Sequence, residues 1–448
     1  MNIIIAGCGK VGTTLGEQLV RERHEVTFID TAPELLKKVM GMIDVQVIEG
    51  NCTVYSTLKE AGIEHADLFI AVTDSDEINL LSCLIAKKAS NCHTVARVRN
   101  PEYNEDIQFI KQEMGLSLTI NPEWATAVEI ARLIQIPSAM EVDSFANNRV
   151  NMIPEGSVLA DMKVADVGGA FKGSFLICVI ERNHEIIIPS GDVVLKKGDN
   201  ISVIMPLAEV DKMCKEVGIH TRNIKNVMIA GGGTMSYYLA KILNKANKKV
   251  KIIEMNRKRC ELLSGLLPKT MIIHGDATDN KLLEEEDLAA TDAFVALTGF
   301  DEENLFLSLH AKKVANAKNI VKINRIRVEE VSEELNVGSV VSPKFITTEF
   351  ILQYVRAMEN SKSNNSIETL YRLMDNRVEA LEFVVCDTPG LTGVQLQDLK
   401  LKKNLLLCCI NRGGNIITPS GQDCLLEGDS VIVVTTHLGL KRLSDILK

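Results

Sequence analysis

The sequence predicts an α/β protein in which two parallel-sheet domains lie in tandem, each followed by a small α+β lobe. Three observations predict it. Segments of the first half recur in the second at a nearly constant offset. Apolar strand-like runs alternate with helical periods early in each half, and short strands broken by Gly, Asp and Pro follow late in each half.

The repeat comes first because it sets the domain count. Asn2 to Gly12 reads NIIIAGCGKVG and Asn226 to Ser236 reads NVMIAGGGTMS, which places Gly7 and Gly231 224 residues apart. Thr73 to Lys88, TDSDEINLLSCLIAKK, returns as TGFDEENLFLSLHAKK from Thr298 to Lys313. Pro189-Ser190-Gly191 with Gly198-Asp199 returns as Pro419-Ser420-Gly421 with Gly428-Asp429, so the lobes are duplicated as well. The expected division is 1–136 and 222–358 for the sheet domains, with 137–221 and 359–448 for the lobes.

Within the first sheet domain, Ile3 to Ala6, Val26 to Ile29, Val45 to Ile48, Leu68 to Val72 and Thr94 to Val98 read as strands. Val11 to Arg21 and Ile78 to Ala89 carry apolar residues at helical spacing, and Pro33-Glu34 reads as a helix start. Right-handed crossovers between parallel strands then favour a doubly wound, Rossmann-like sheet. Lobe strands are expected at Ser174 to Ile180, Asn200 to Ile204, Leu405 to Ile410 and Ser430 to Val434. The Ser- and Asn-rich stretch Glu359 to Glu368 reads as a linker.

Composition removes several function classes. The 448 residues carry 50 Lys and Arg against 59 Asp and Glu, a net charge of −9, so broad attraction to nucleic acid or anionic lipid is not expected. No apolar run reaches the roughly 18 to 20 residues of a membrane span, and Met1 to Ile5 leads into a glycine-rich turn rather than a cleavage site. A cytoplasmic protein is expected, with any membrane role exercised through a partner. The eleven cysteines show no CxxC pair and no metal spacing, which reads as reduced, buried thiols. Cys408 and Cys409 are expected to point to opposite faces of one strand.

Gly7-Cys8-Gly9-Lys10-Val11-Gly12 follows a strand and opens a helix, the context in which GxGxxG binds a dinucleotide. Gly7 permits the tight turn, Gly9 lets a pyrophosphate approach the backbone, and Gly12 allows close helix packing. Asp30, ending the second strand, can accept from both ribose hydroxyls and repel a 2′-phosphate, favouring NAD(H) or an adenine nucleotide over NADP. The alternative is a plain turn with Asp30 capping the helix at Pro33. The second copy keeps Gly231, Gly232, Gly233, Thr234 and Met235, puts Ser236 in place of the third glycine, and has Glu254 as its acid. The Ser236 side chain is expected to shift the helix while leaving the fold intact.

After the fourth strand, Thr73 and Asp74, and in copy two Thr298, can reach a bound nucleotide. Helix capping by Asp74 or Asp76 is the competing reading. Asp276, with Ala277, follows the third strand of copy two where an acid can contact adenine; Asn51 and Cys52 hold those places in copy one. Arg97 closes the fifth strand and either pairs with a phosphate or is surface-exposed.

The combination of GCGKVG with Asp30, GGGTMS with Glu254, HGDATD at His274 to Asp279, the two DExN helices and the two PSG…GD lobes resembles the regulator-of-potassium-conductance (RCK, or KTN) family over essentially the whole chain. The resemblance implies lobes of the RCK C-terminal type. It also implies a homo-oligomeric ring, eight modules from a tetramer, clamped beneath an integral-membrane potassium transporter subunit of the Trk type at the inner face of the membrane. By the same resemblance, Gly7 to Val11, Asp30, Thr73, Asp74 and Arg97, and in copy two Gly231 to Met235 with Glu254, contact NAD or ATP/ADP. Asn51 and Ser236 depart from the family pattern. A nicotinamide-dependent dehydrogenase is the rival reading, and the eight scattered histidines offer it no acid–base constellation, so no catalytic residues and no metal ligands are expected.

Overall fold

A computed structural model describes residues 1–135, 140–142, 147–150, 159–170, 176–183, 185–204, 216, 224–315, 317–325, 335, 337–362, 367–373, 377–386, 388–417, 419–440 and 442–448. These residues form two compact units. One joins Met1–Ile134 to Ile224–Leu352, and the other joins Gln135–Asn223 to Gln353–Lys448. Like therefore packs with like: the two sheet domains make one unit and the two lobes the other.

In the first sheet domain β1 (Asn2–Ala6), β2 (Glu25–Asp30), β3 (Gln46–Glu49), β4 (Leu68–Ala71), β5 (His93–Arg97) and β6 (Leu118–Ile120) form one parallel sheet in the order 3-2-1-4-5-6. That is the doubly wound order, with its switch point between β1 and β4. All four residues from Ile3 to Ala6 are buried, as a central strand covered by helices on both faces requires. The six-residue helix Tyr55–Glu60 and the three-residue strand β6 were not expected; both are too short to show a period. The helices Lys10–Arg21, Pro33–Met40 and Asp76–Ala89 stand where the spacing put them.

The first lobe contains β7 (Met140–Val142), β8 (Asn147–Val150), β9 (Leu176–Arg182), β10 (Glu185–Ile187) and β11 (Asn200–Ile204), paired antiparallel in the order 10-9-11-8-7. Ser174 and Phe175 of the expected strand lie outside the described residues. In the second sheet domain β12 (Asn226–Ala230), β13 (Lys249–Glu254), β14 (Thr270–His274), β15 (Ala293–Ala296), β16 (Lys318–Lys322) and β17 (Ser339–Val341) repeat the first topology strand for strand. The second lobe, β18 (Ile367–Leu373), β19 (Val378–Val384), β20 (Leu405–Arg412), β21 (Asn415–Ile417) and β22 (Ser430–Thr435), repeats the lobe order as 18-19-22-20-21.

Two expectations are corrected. The stretch read as a linker is not loop throughout: the helix Pro343–Lys362 runs into it and β18 begins at Ile367. Ile351, Leu352, Val355 and Met358 are buried, and their helical spacing outweighs the polar composition that follows. Cys408 and Cys409 do not point to opposite faces. A bulge shifts the β20 register between Leu407 and Cys409, so both cysteines enter the same apolar cluster.

The lobes share one internal brace. Arg182 forks onto Asp199 with Nε and Nη2 at 2.8 and 2.7 Å, and Arg412 onto Asp429 at 2.9 and 2.8 Å. These are the GD aspartates of the repeated turn. Their carboxylates also accept the backbone N–H three residues earlier, of Lys196 and Leu426. The turn signal in the sequence is thus held by a bidentate ion pair.

Candidate functional site

At the switch point the chain leaves β1 and turns sharply at Gly7, whose φ is +107°; Gly231 repeats it at +97°. A Cβ on Gly7 would stand 3.0 Å from the backbone of Val72 and Thr73, and one on Gly231 2.9 Å from Leu297 O. Glycine is required by both conformation and space. Gly9 and Gly233 differ, since a Cβ there would meet nothing within 4 Å. The backbone at these two residues faces open space, and each opens a twelve-residue helix with no side-chain cap. First-turn amides left without a capping side chain at a strand-to-helix turn are what a pyrophosphate uses.

Ser236 leaves the backbone conformation at the start of its helix unchanged. Gly9 has φ −70° and ψ −172°, and Gly233 has −67° and −179°, so both helices start from the same turn. A Cβ at Gly12 would lie 2.0 Å from Gly7 O, whereas the buried Ser236 donates its hydroxyl to Gly231 O at 2.5 Å. The contact that glycine avoids in copy one is a hydrogen bond in copy two.

The two acids behave alike. Asp30 accepts from Cys8 N at 2.6 Å and Ala32 N at 2.9 Å, and Glu254 from Gly232 N and Asn256 N, both at 2.7 Å. Each carboxylate thus ties the glycine turn to the end of the second strand. Cys8 is buried, and burial with Asp30 beside it pushes its thiol up to about 12, so it stays protonated. Lys10 is exposed beyond it.

Asn51 and Asp276 play the same local part. The side-chain oxygen of each accepts from the backbone N–H and hydroxyl of a threonine two residues on, Thr53 at 2.9 Å and Thr278 at 2.8 Å. The remaining polar atom differs, an amide in copy one and a carboxylate oxygen in copy two. Cys52 and Ala277 are packed into the cores of their domains, so only their backbones reach the sheet edge.

The DExN asparagine proves structural. Asn79 accepts from Thr73 N at 2.8 Å and Thr73 Oγ1 at 2.7 Å, and donates to Arg97 O at 2.9 Å, clamping the end of β4 to the end of β5. Asn304 repeats this on Thr298 N and Lys322 O at 2.8 and 3.0 Å. The Thr73 hydroxyl is therefore committed within the protein, while that of Thr298 donates to Phe300 O. Neither Asp74 nor Asp76 caps the helix: Ser75 does, and the buried Asp76 accepts the backbone N–H of Arg99 and Asn100 at 2.8 Å each. Asp74 is exposed.

Arg97 is buried rather than surface-exposed. Its Nη2 donates to Thr73 O and lies 3.4 Å from Asp74 Oδ1. Burial pulls its guanidinium downward, and Arg99 adds to this against Asp74 and Glu123. Its counterpart in copy two is Lys322, lowered first by burial and also by Lys10, with Asp301 and Glu123 opposing. Glu123, in the helix Pro122–Gln135, opposes the lowering at the equivalent basic residues of both copies, and burial raises its own carboxyl. Among the described residues, the buried side-chain atoms with no hydrogen-bond partner include Arg97 Nε, Asp76 Oδ1 and Glu123 Oε2, and Asp76 Oδ1 lies 3.7 Å from Arg99 Nε.

Sequence reasoning missed Glu123. Its helix lies in copy one and docks on copy two: Ala127, Ile130, Ala131 and Ile134 join one core with Leu239, Leu243 and Ile252. Asn121 donates to Tyr238 Oη at 3.1 Å and Trp124 meets the Tyr238 ring edge-on at 5.4 Å. The signal was Asn121-Pro122-Glu123, a helix start directly after a strand.

Comparison with known proteins agrees with this geometry. The TrkA-N domain model matches residues 3–122 and 227–343, and the TrkA-C domain model residues 152–218. The Trk system potassium uptake protein TrkA homolog of Archaeoglobus fulgidus is 35% identical over 452 residues, all of both chains. The Trk system potassium uptake protein TrkA of Haemophilus influenzae is 32% identical over 444 residues, 97% of this chain and 95% of that one. Among solved structures, the GsuK channel bound to NAD superposes with a TM-score of 0.62 at 16% identity, covering 97% of this chain and 76% of that one. The GsuK RCK domain superposes at 0.61 and 17%, covering 97% and 92%. With two fingerprinted sheet domains, two lobes and full-length relatives above 30% identity, the chain belongs to the TrkA family of Trk system potassium uptake proteins.

Proposed function

We propose that this chain is the nucleotide-binding regulatory subunit of a Trk-type potassium uptake transporter, and that nucleotide binding to paired sheet domains sets the state of the membrane subunit. The observation that carries the reading is the duplicated turn in which a strand-end acid holds the glycine loop, Asp30 on Cys8 N and Glu254 on Gly232 N. Relatives named for potassium uptake support the partner, and a GsuK channel bound to NAD and another bound to ADP support the ligand class.

The backbone amides from Gly9 to Gly12, and from Gly233 to Met235, receive the phosphates, while Asp30 and Glu254, which hold Cys8 N and Gly232 N, orient the ribose hydroxyls. NAD(H) and ATP/ADP share the ribose and phosphate features this arrangement recognises. Thr73, Asp74, Arg97 and Thr298 stand at the far side of the same edge, and Asn51 and Asp276 flank the base. No redox chemistry is asked of the ligand: its binding energy does the work, because a ligand shifts an equilibrium only by its differential affinity for the two states.

The four regions 1–136, 137–221, 222–358 and 359–448 are the working division, and four chains supply an eight-module ring at the inner face of the membrane. Among the described residues no helix is long and apolar enough to cross a membrane, so contact with the bilayer runs through the transporter. The test is calorimetric titration of the purified chain with NADH, NAD, ATP and ADP, followed by potassium flux in vesicles carrying the transporter. Saturable binding with nucleotide-dependent flux supports the proposal. Binding of none of the four, or turnover of NADH with a substrate, would overturn it.

A further inference from the structure

Strands β9 and β20 hold equivalent places in the two lobes and come within 8 Å of one another, Cα to Cα. Each is bulged at the same point. In the first lobe the register moves from Val179 opposite Ser202 to Ile177 opposite Val203, so Cys178 is the extra residue. In the second it moves from Leu407 opposite Val433 to Cys409 opposite Ile432, so Cys408 is the extra residue. A bulge re-aims the side chain it frees.

Here both bulges send their cysteine into one cluster, where Cys178 and Val179 of the first lobe meet Ala380, Cys408 and Val434 of the second. Cys178 and Cys408 thus share one buried cluster, on strands whose Cα atoms come within 8 Å. Each sulfur also reaches a backbone carbonyl, Cys178 Sγ that of Ser202 at 3.3 Å and Cys408 Sγ that of Leu406 at 3.6 Å. Cys178 is 0% exposed and Cys408 2%. The repeat has thus brought one cysteine from each copy together at the seam between the lobes.

We propose that Cys178 and Cys408 are a reversible modification site, forming a disulfide that staples the two lobes of one chain in the presence of a small disulfide oxidant such as oxidised glutathione. The chemistry balances in two exchanges. The thiolate of one cysteine attacks a sulfur of the oxidant, forming a mixed disulfide and expelling one glutathione thiolate. The thiolate of the other cysteine then attacks the protein sulfur of that mixed disulfide and expels the second glutathione. Two protein S–H groups are oxidised, one S–S bond of the oxidant is reduced, and both protons end on the released thiols.

Burial in an apolar cluster keeps the Cys408 thiol protonated, and both thiols are screened from solvent while the seam is closed. Oxidation therefore proceeds through transient separation of the lobes, and the bond records that separation when the seam closes again. Cys386, which is exposed in the same unit, has no such protection and serves as the internal control.

The test uses the full chain, treated with oxidised glutathione, quenched with an alkylating reagent and mapped by mass spectrometry without reduction. The expected result is rapid glutathione addition at Cys386 and slower appearance of a Cys178–Cys408 linked peptide. The linked form should melt ~5 °C higher and revert with dithiothreitol. Cys386→Ser should form the same link. Modified Cys386 beside free thiols at Cys178 and Cys408 would overturn the proposal. So would separate glutathione adducts on those two residues with no link, or loss of the link in Cys386→Ser.

Discussion

Asp30→Ala tests the nucleotide reading at its centre. The carboxylate holds two backbone amides, Cys8 N at 2.6 Å and Ala32 N at 2.9 Å, and is half-buried, so on its removal water replaces part of what is lost. Loss of these two charge-assisted bonds costs the first domain about 1 to 2 kcal/mol. A ribose loses more, because two hydroxyls lose an ionised acceptor. At about 1.5 kcal/mol each this gives roughly 3 kcal/mol, a ~100-fold weaker dissociation constant. The assay is calorimetry on Asp30→Ala in a Glu254→Ala background, so that only copy one reports, with circular dichroism to confirm the fold. Asp30→Asn, which keeps one acceptor and no charge, should fall between. Unchanged affinity in a folded Asp30→Ala protein would refute the assigned role.

The glycines of the turn separate stability from binding: Gly7→Ala, forced to φ +107° against Val72, should lower the urea midpoint by an amount worth about 3 kcal/mol. Gly9→Ala, facing open space, should leave the midpoint within about 0.5 kcal/mol of wild type yet weaken nucleotide binding. Glu123→Gln should change the pH profile of stability. Burial raises the folded carboxyl above its unfolded value, so its contribution is full below the ordinary carboxylate range and is lost as pH rises through the folded pKa. The variant should therefore gain on wild type between acid and neutral pH in urea titrations, and parallel curves would count against it. Asp429 runs the other way. The Arg412 fork holds its carboxyl low, so that stability is present above the ordinary range and lost as pH falls through the folded pKa. Asp429→Asn should cost the second lobe about 2 kcal/mol at neutral pH, with Arg412 half-exposed and able to take up water, and the loss should vanish in strong acid.

Much of this molecule was legible in one dimension because its signals are local. Apolar runs gave the central strands, and the repeat made each half a check on the other. The glycine turn could be placed from sequence because its geometry depends on contiguous residues, whereas the bond from Cys8 N to Asp30, 22 residues on, was not read from it. The GD turns read correctly as turns, although the arginine that braces each lies 17 residues away. The short β6 escaped notice because three residues carry no period, and the polar end of the helix Pro343–Lys362 passed for a linker.

What the sequence alone determined is the fold class, the duplication and the shape of the glycine turns, since each follows from periodicity and steric limits within a few residues. The tertiary structure decided which side chains are spent on holding the protein together. Asn79 and Asp76 of the DExN motif are committed to backbone groups that only folding brings near. It also decided that the helix carrying Glu123 docks on copy two, where Asn121 reaches Tyr238, 117 residues away in the chain. Cys178 and Cys408 meet for the same reason. A contact between residues this far apart costs loop-closure entropy that only the packed cores offset, and no local pattern announces where those cores will meet.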